Sequence, residues 1–257
     1  MQIRDTAVAT PDKPAVIMYP SGTVVTFGEL EARANRLAHL FRKAGLVEGD
    51  AVAILMENNA HMHAVMWAAR RAGLYYVPIN THLTAAEAAY IIDNSAAKAI
   101  VGSAKLTDTL AGLADELPNG LPSLLLIADG TLQGWSSYPE CVADQPDTPI
   151  DDEIEGDLLQ YSSGTTGRPK GVQLTPGNFY AEIQATSMAL HDSMNEGNRT
   201  LMFLPMAHVF ARAVSVAAFE SKGTIGPTSD VTTLLDQFAT FKPDFILSVP
   251  RVFEKVY

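Results

Sequence analysis

The chain has 257 residues, 47% of them hydrophobic and 18% charged, with 29 acidic side chains against 18 basic ones and a net charge of −11. That apolar content is enough for a sizeable core, in one large domain or two small ones. The acidic balance excludes a nucleic-acid partner, which needs a basic face, and argues against tight docking on anionic lipid while leaving peripheral membrane contact open.

Cys141 is the one cysteine, so no disulfide forms within the chain, which fits a reducing, cytoplasmic compartment. It sits in a polar, Pro-rich stretch with no base in view and reads as incidental. The opening MQIRDTAVATPDKPA lacks the apolar run of a signal peptide, and no stretch approaches the ~20 apolar residues that cross a bilayer.

The elements alternate along the chain. Thr26 with Glu29 reads as a capping box. Leu30, Ala34, Leu37 and Phe41 then share one helical face, and Gly45 ends the helix. Ala51 to Met56 is a short apolar run, hence a buried strand. A helix over His61 to Ala72 closes at Gly73, and Tyr75 to Ile79 is strand-like. Thr84 with Glu87 is a second capping box, opening a helix to Asp93. Strand Lys98 to Val101, helix Lys105 to Glu116 and strand Ser123 to Ala128 follow. Strands apolar on both faces and joined by helices imply an α/β fold, with βαβ-type sheets flanked by helices. The stretch Asp129 to Asp157, with Pro139, Pro146, Pro149 and a run of five acids, breaks the rhythm and reads as a surface connection. The division expected is a first α/β subdomain over 1–156 and a phosphate loop with the start of a second over 157–257. In that second part Thr175 caps a helix from Pro176. Strand Thr200 to Leu204, helices Phe210 to Glu220 and Thr232 to Phe241, and strand Phe245 to Val249 complete the pattern.

The chemistry concentrates in YSSGTTGRPKG, Tyr161 to Gly171. Gly164, Gly167 and Gly171 let the backbone approach an anion and turn its N–H groups inward. Ser162, Ser163, Thr165 and Thr166 add hydroxyl donors for phosphate oxygens. Lys170 supplies a point charge and Arg168 a second cation, while Pro169 stiffens the turn. Thr165 also suits a magnesium ion that bridges phosphates. Lys170-Gly171 runs into the extended pattern Val172-Gln173-Leu174, so the loop joins two strands. It is not the strand-to-helix loop G-x-x-x-x-G-K-[ST]. A bare Ser/Gly cluster would read as a surface hairpin; an ordered run ending in Arg-Pro-Lys-Gly reads as a phosphate grip.

YSSGTTGRPKG resembles the phosphate-loop motif of the adenylate-forming superfamily, which includes acyl-CoA ligases, luciferases and peptide-synthetase adenylation domains. The opening DTAVATPDKPAVI, the stretch VTFGELEARANRLAHLFRKAGLVEGDAVAILMENN and AARRAGLYYVPIN are similar to the start of such enzymes, so the resemblance covers essentially the whole chain. TLMFLPMAHVFAR, Thr200 to Arg212, resembles the segment L-P-x-x-H-x-x-x-R. DFILSVPRVFEKVY, Asp244 to Tyr257, resembles the long-chain fatty acyl-CoA ligases in particular.

The resemblance implies two half-reactions. A carboxylate attacks the α-phosphate of ATP to give an acyl-adenylate and pyrophosphate, and the thiol of CoA then displaces AMP. It implies that Ser162, Ser163, Gly164, Thr165, Thr166, Gly167, Arg168, Lys170 and Gly171 grip the phosphates, that Thr165 contacts Mg2+, and that His208 positions the adenylate and gates the thiol. His208 has a structural alternative, a side chain capping the helix that begins near Val209. The remaining histidines carry no comparable context; His61 and His63, two apart, fall on different helix faces and make a poor metal pair. By the same resemblance the chain is an N-terminal fragment. The magnesium-binding glutamate, the ribose-holding aspartate and the C-terminal lid domain with its lysine would lie further on, so these residues alone are expected to be inactive. The small-molecule substrates implied are a fatty acid, ATP and CoA. A carrier protein in place of CoA, or an inactive nucleotide-binding module, are the alternatives.

Overall fold

The computed structural model describes residues 3–162, 169–174 and 195–246, together with 177, 178, 181, 185 and 248. The chain falls into two compact units, one of residues 32–57 and 61–178, the other of residues 1–31, 58–60 and 179–257.

In the unit of residues 32–57 and 61–178 the strands are β3 (Ala51–Leu55), β4 (Tyr75–Pro78), β5 (Ala97–Ser103), β6 (Leu124–Ala128), β7 (Ser136–Ser137), β8 (Leu158–Ser162) and β9 (Lys170–Leu174). They form one sheet in the order β7-β6-β5-β3-β4-β8-β9. All neighbours are parallel except β8 and β9. β3 lies at the centre and is buried along its whole length, as a strand apolar on both faces must be in a covered parallel sheet. Helices α4 (Ala85–Asn94) and α5 (Thr107–Glu116) bring Ile91, Ile92, Leu110 and Leu113 into one core with Leu55, Val77, Ile100 and Ile127. α3 (Met62–Arg71) packs on β3 and β4. It ends at Gly73, whose φ of +69° is a left-handed closure that only glycine adopts freely.

The connection over 129–157 does more than span a surface. It adds the edge strand β7 beside β6 and then α6 (Tyr138–Ala143), whose first turn is capped by Ser137. Its acidic side chains are clamped by arginines. Arg36 pairs with Asp147 at 3.3 Å, Arg42 with Asp152 at 2.8 Å, and Arg70 with Glu155. Ile154 N–H donates to Arg71 O at 3.1 Å. Gly156 lies so close to Leu74 that a Cβ there would land against the Leu74 carbonyl oxygen and 2.6 Å from its nitrogen. The polypeptide therefore enters β8 from a pinned start.

The other unit holds β1 (Pro14–Ile17), β2 (Val24–Thr26), β10 (Arg199–Met202) and β11 (Thr224–Pro227), in the order β10-β11-β1-β2. Only β10 of these is legible from local pattern. β2 is three residues long, β11 contains Gly226 and Pro227, and β1 opens with a proline, so none carries a strand signature of its own. β1 and β11 are strands because they pair with each other across the chain, Val16 with Ile225, and β2 because it pairs with β1. The expected strand at Phe245–Val249 is represented by a bridge from Phe245 to Thr200; residues 247 and 249 lie outside the described set.

Helix α1 (Arg4–Ala9) precedes this sheet. α2 (Phe27–Lys43) starts at the expected capping box, with Thr26 N–H donating to Glu29 Oε2 at 3.0 Å and Glu29 N–H to Thr26 Oγ1 at 3.2 Å. α7 (Val209–Glu220) buries every residue from Ala211 to Phe219, with Phe219 edge-on to Phe27 at 5.9 Å. α8 (Leu234–Phe241) packs Leu234 and Phe241 against Leu201 and Phe203. The helix expected from Pro176 shows helical residues at 177, 178, 181 and 185, while its Thr175 cap lies outside the described residues. Among the described residues no helix is long and apolar enough to cross a membrane.

Candidate functional site

The phosphate-loop residues fall between β8 and β9. The two strands pair antiparallel in register from Leu158 opposite Leu174 to Ser162 opposite Lys170. Directly opposed residues of an antiparallel pair project to the same face. The side chains of Ser162 and Lys170 thus leave the mouth on the same face, and both residues are exposed. Ser163, Gly164, Thr165, Thr166, Gly167 and Arg168 lie outside the described residues.

One rung below, Gly171 faces Tyr161. A Cβ at Gly171 would sit 3.2 Å from Tyr161 Cζ and 3.3 Å from Leu159 Cδ1. The tyrosine ring lies where a side chain at 171 would go, so the glycine that lets backbone approach an anion also lets the ring cover the stem.

Both stems are tied to α4. Tyr161 Oη donates to Asn94 Oδ1 at 2.7 Å, and Tyr90 Oη donates to the Pro169 carbonyl at 3.3 Å. Burial, with Tyr90 beside it, pushes the Tyr161 phenol up to about 12, so it remains a donor across the neutral range. At the root of β8, burial and the neighbouring Glu155 raise the Asp157 carboxyl, against the opposing pull of Arg70. Neither Tyr90 nor Asn94 was signalled by the sequence, because their partners are 79 and 67 positions away.

His208 belongs to the other compact unit. It occupies the N-cap position of α7 with extended backbone (φ −90°, ψ 131°), but its side chain makes no capping hydrogen bond. The imidazole is exposed, and the His208 N–H is held by the Pro205 carbonyl at 2.9 Å. A helix-capping role for the side chain is therefore not what the structure contains. Arg212, one turn on, is fully buried.

Thr165, the residue named for magnesium, lies outside the described set. Among the described residues no group of three or more His, Cys, Asp or Glu is placed to hold a metal ion. His63 is enclosed in the core, where burial pushes it down to about 4, while His61 Nε2 lies 3.1 Å from Asp129 Oδ1. Cys141 is half-buried on α6.

A parallel sheet that ends in the antiparallel pair β8–β9, with a Ser/Gly/Thr-rich stretch of sequence between the two strands and a lysine at the start of the second, makes this an α/β protein with the expected phosphate loop at its sheet edge. The chain belongs to the AMP-binding enzyme family, whose model matches residues 3–257. It is 35% identical to the long-chain-fatty-acid–CoA ligase FadD15 of Mycobacterium bovis, over 91% of this chain and 40% of that protein. It is 30% identical to the fatty acid–[acyl-carrier-protein] ligase ScoC of Streptomyces coeruleorubidus, over 77% of this chain and 37% of that protein. The inhibitor-bound crystal structure of the N-terminal domain of FACL13 from Mycobacterium tuberculosis matches with a TM-score of 0.80 at 25% identity, covering 98% of this chain and 63% of that one. The chain thus spans about 40% of the length of curated relatives such as FadD15.

Proposed function

We propose that the protein carrying this chain is an AMP-forming ligase that activates a long-chain fatty acid with ATP and passes the acyl group to CoA. The observation that carries the reading is the hairpin mouth, where Ser162 and Lys170 stand opposite each other at the two ends of the glycine-rich loop. An exposed ammonium beside a hydroxyl fits the oxygens of a polyphosphate. In this reading Ser162, Ser163, Gly164, Thr165, Thr166, Gly167, Arg168, Lys170 and Gly171 hold the phosphates while a carboxylate oxygen bonds to the α-phosphorus and pyrophosphate leaves. A magnesium ion, with Thr165 as its candidate contact, supplies charge neutralisation when bound. The protein's own part is to fix the phosphates in line and stabilise the charge that builds on them. His208, beside the acyl group, positions the adenylate for the thiol that expels AMP.

The similarity to FadD15 supports a fatty acid as the acid. Fatty-acid-dependent exchange of pyrophosphate into ATP by the protein carrying this chain tests it, followed by thioester synthesis with CoA. Activation of amino acids or aryl acids with no response to fatty acids would overturn it. The 257 residues by themselves, about 40% of such a relative, are expected to bind ATP weakly and to show no exchange.

The similarity to ScoC favours a second reading, in which the acceptor is a carrier protein. Replacing CoA with a phosphopantetheinylated carrier in the same assay separates the two: the faster acceptor names the reaction.

A further inference from the structure

We infer that Asn58 is a positioning residue for His208, its carboxamide holding the turn that carries the histidine; the inference rests on the role proposed for His208. Residues 203–208 link β10 to α7 without regular structure, so their backbone groups need partners from elsewhere. Asn58 supplies them from a site only 7% exposed. Its Nδ2 donates to the Leu204 carbonyl at 2.9 Å and lies 3.3 Å from the Met202 carbonyl and 3.4 Å from that of Thr228. Its Oδ1 accepts from the Met206 N–H at 3.3 Å. One short side chain therefore bridges the end of β10, the middle of the turn and the residue after β11. The task needs donors and an acceptor on a single planar group, which a carboxamide provides.

The rest of the turn is secured in series. Met206 is 2% exposed, with Ser215 Oγ of α7 3.5 Å from its sulfur. The Pro205 carbonyl holds the His208 N–H. His208 itself makes no capping bond, so the place of its imidazole is set by the backbone of this turn. Met202, Leu204 and Met206 are the points at which Asn58 grips that backbone.

The test is a double-mutant cycle in fatty-acid-dependent pyrophosphate exchange by the full-length protein carrying this chain, with Asn58→Ala, the milder Asn58→Ser and His208→Ala. Amide hydrogen exchange over residues 203–208 is measured alongside. A residue that acts through His208 loses its effect once His208 is gone. Asn58→Ala is expected to lower turnover about ten- to a hundred-fold, as misplacement by an ångström can do. It should add little to His208→Ala and should raise amide exchange at Met206. Losses that multiply in the double variant, unchanged turnover in both Asn58 variants, or a His208→Ala protein as active as wild type would each overturn the inference. A wild-type protein without fatty-acid-dependent exchange would instead sink the proposed function. In that case Met206 protection decides the matter: unchanged in Asn58→Ala, it shows that Asn58 does not hold the turn.

Discussion

Ser162 and Lys170 are cross-strand partners on the last described rung of the β8–β9 ladder, so the two ends of the phosphate loop are set by backbone pairing rather than by the loop itself. Among the described residues, Lys170 is the cation on that rung. Lys170→Ala removes one charge-assisted contact, worth roughly 1.5 to 3 kcal/mol. Pyrophosphate exchange should fall about ten- to a hundred-fold. Because Lys170 is exposed at the sheet edge, the melting temperature should scarcely move. Unchanged exchange kinetics would remove Lys170 from the site.

The bonds from α4 to the stems make a different prediction. Tyr90→Phe deletes only the hydroxyl that reaches the Pro169 carbonyl, and Asn94→Ala deletes the acceptor of Tyr161. A neutral hydrogen bond contributes about 0.5 to 1.5 kcal/mol. Each change should raise the KM for ATP roughly three- to tenfold and leave the KM for the fatty acid alone. Equal shifts in both constants would show that α4 supports the fold and not the loop.

Gly156 tests the pinned entry to β8. A methyl group there meets the Leu74 backbone, which has no flexible side-chain end to give way. Overpacking typically costs about 1 to 3 kcal/mol, and a backbone collision belongs at or above the upper end. Gly156→Ala is expected to lower the urea midpoint markedly, and a midpoint equal to wild type would show that the strap shifts freely.

His63 gives the chain a pH dependence. The unfolded chain takes up a proton near the ordinary histidine value of 6.5, whereas burial holds the folded imidazole neutral until about 4. Between those values the unfolded state binds more protons, so stability falls as the pH is lowered through that window and is intact above it. The full effect is at most about 3 kcal/mol. Urea denaturation at pH 7 and pH 5 should show a loss in wild type that His63→Leu reduces. An identical loss in the variant would place the acid sensitivity elsewhere.

Local features were legible because their physics is local. Both capping boxes, Thr26 with Glu29 and Thr84 with Glu87, join residues three apart and form as the pattern predicts. The apolar run at Ala51 becomes the buried central strand, and the extended residues after Lys170 place the phosphate loop between strands. β1 and β11 escaped because they pair with each other about 200 residues apart, and β2 because three residues paired to so short a strand carry no pattern of their own. The stretch 129–157 has the sequence of a surface connection, and nothing in its own residues reveals that Arg36, Arg42 and Arg70 pair with its carboxylates.

The amino-acid order by itself determined the chemistry on offer: glycines, hydroxyls and a lysine in one contiguous run, and a histidine at the head of an apolar helix. Such features are written in neighbouring residues, and short-range sterics and hydrogen bonding are enough to read them. Only the tertiary structure decided what holds them. Asn58 finds its partners 144 to 170 positions away, and Tyr161 finds Asn94 across 67. The Asn58 bonds exist because folding buries backbone groups that must then be satisfied by whatever polar side chain the packing brings alongside, and no local pattern records which partner either residue finds.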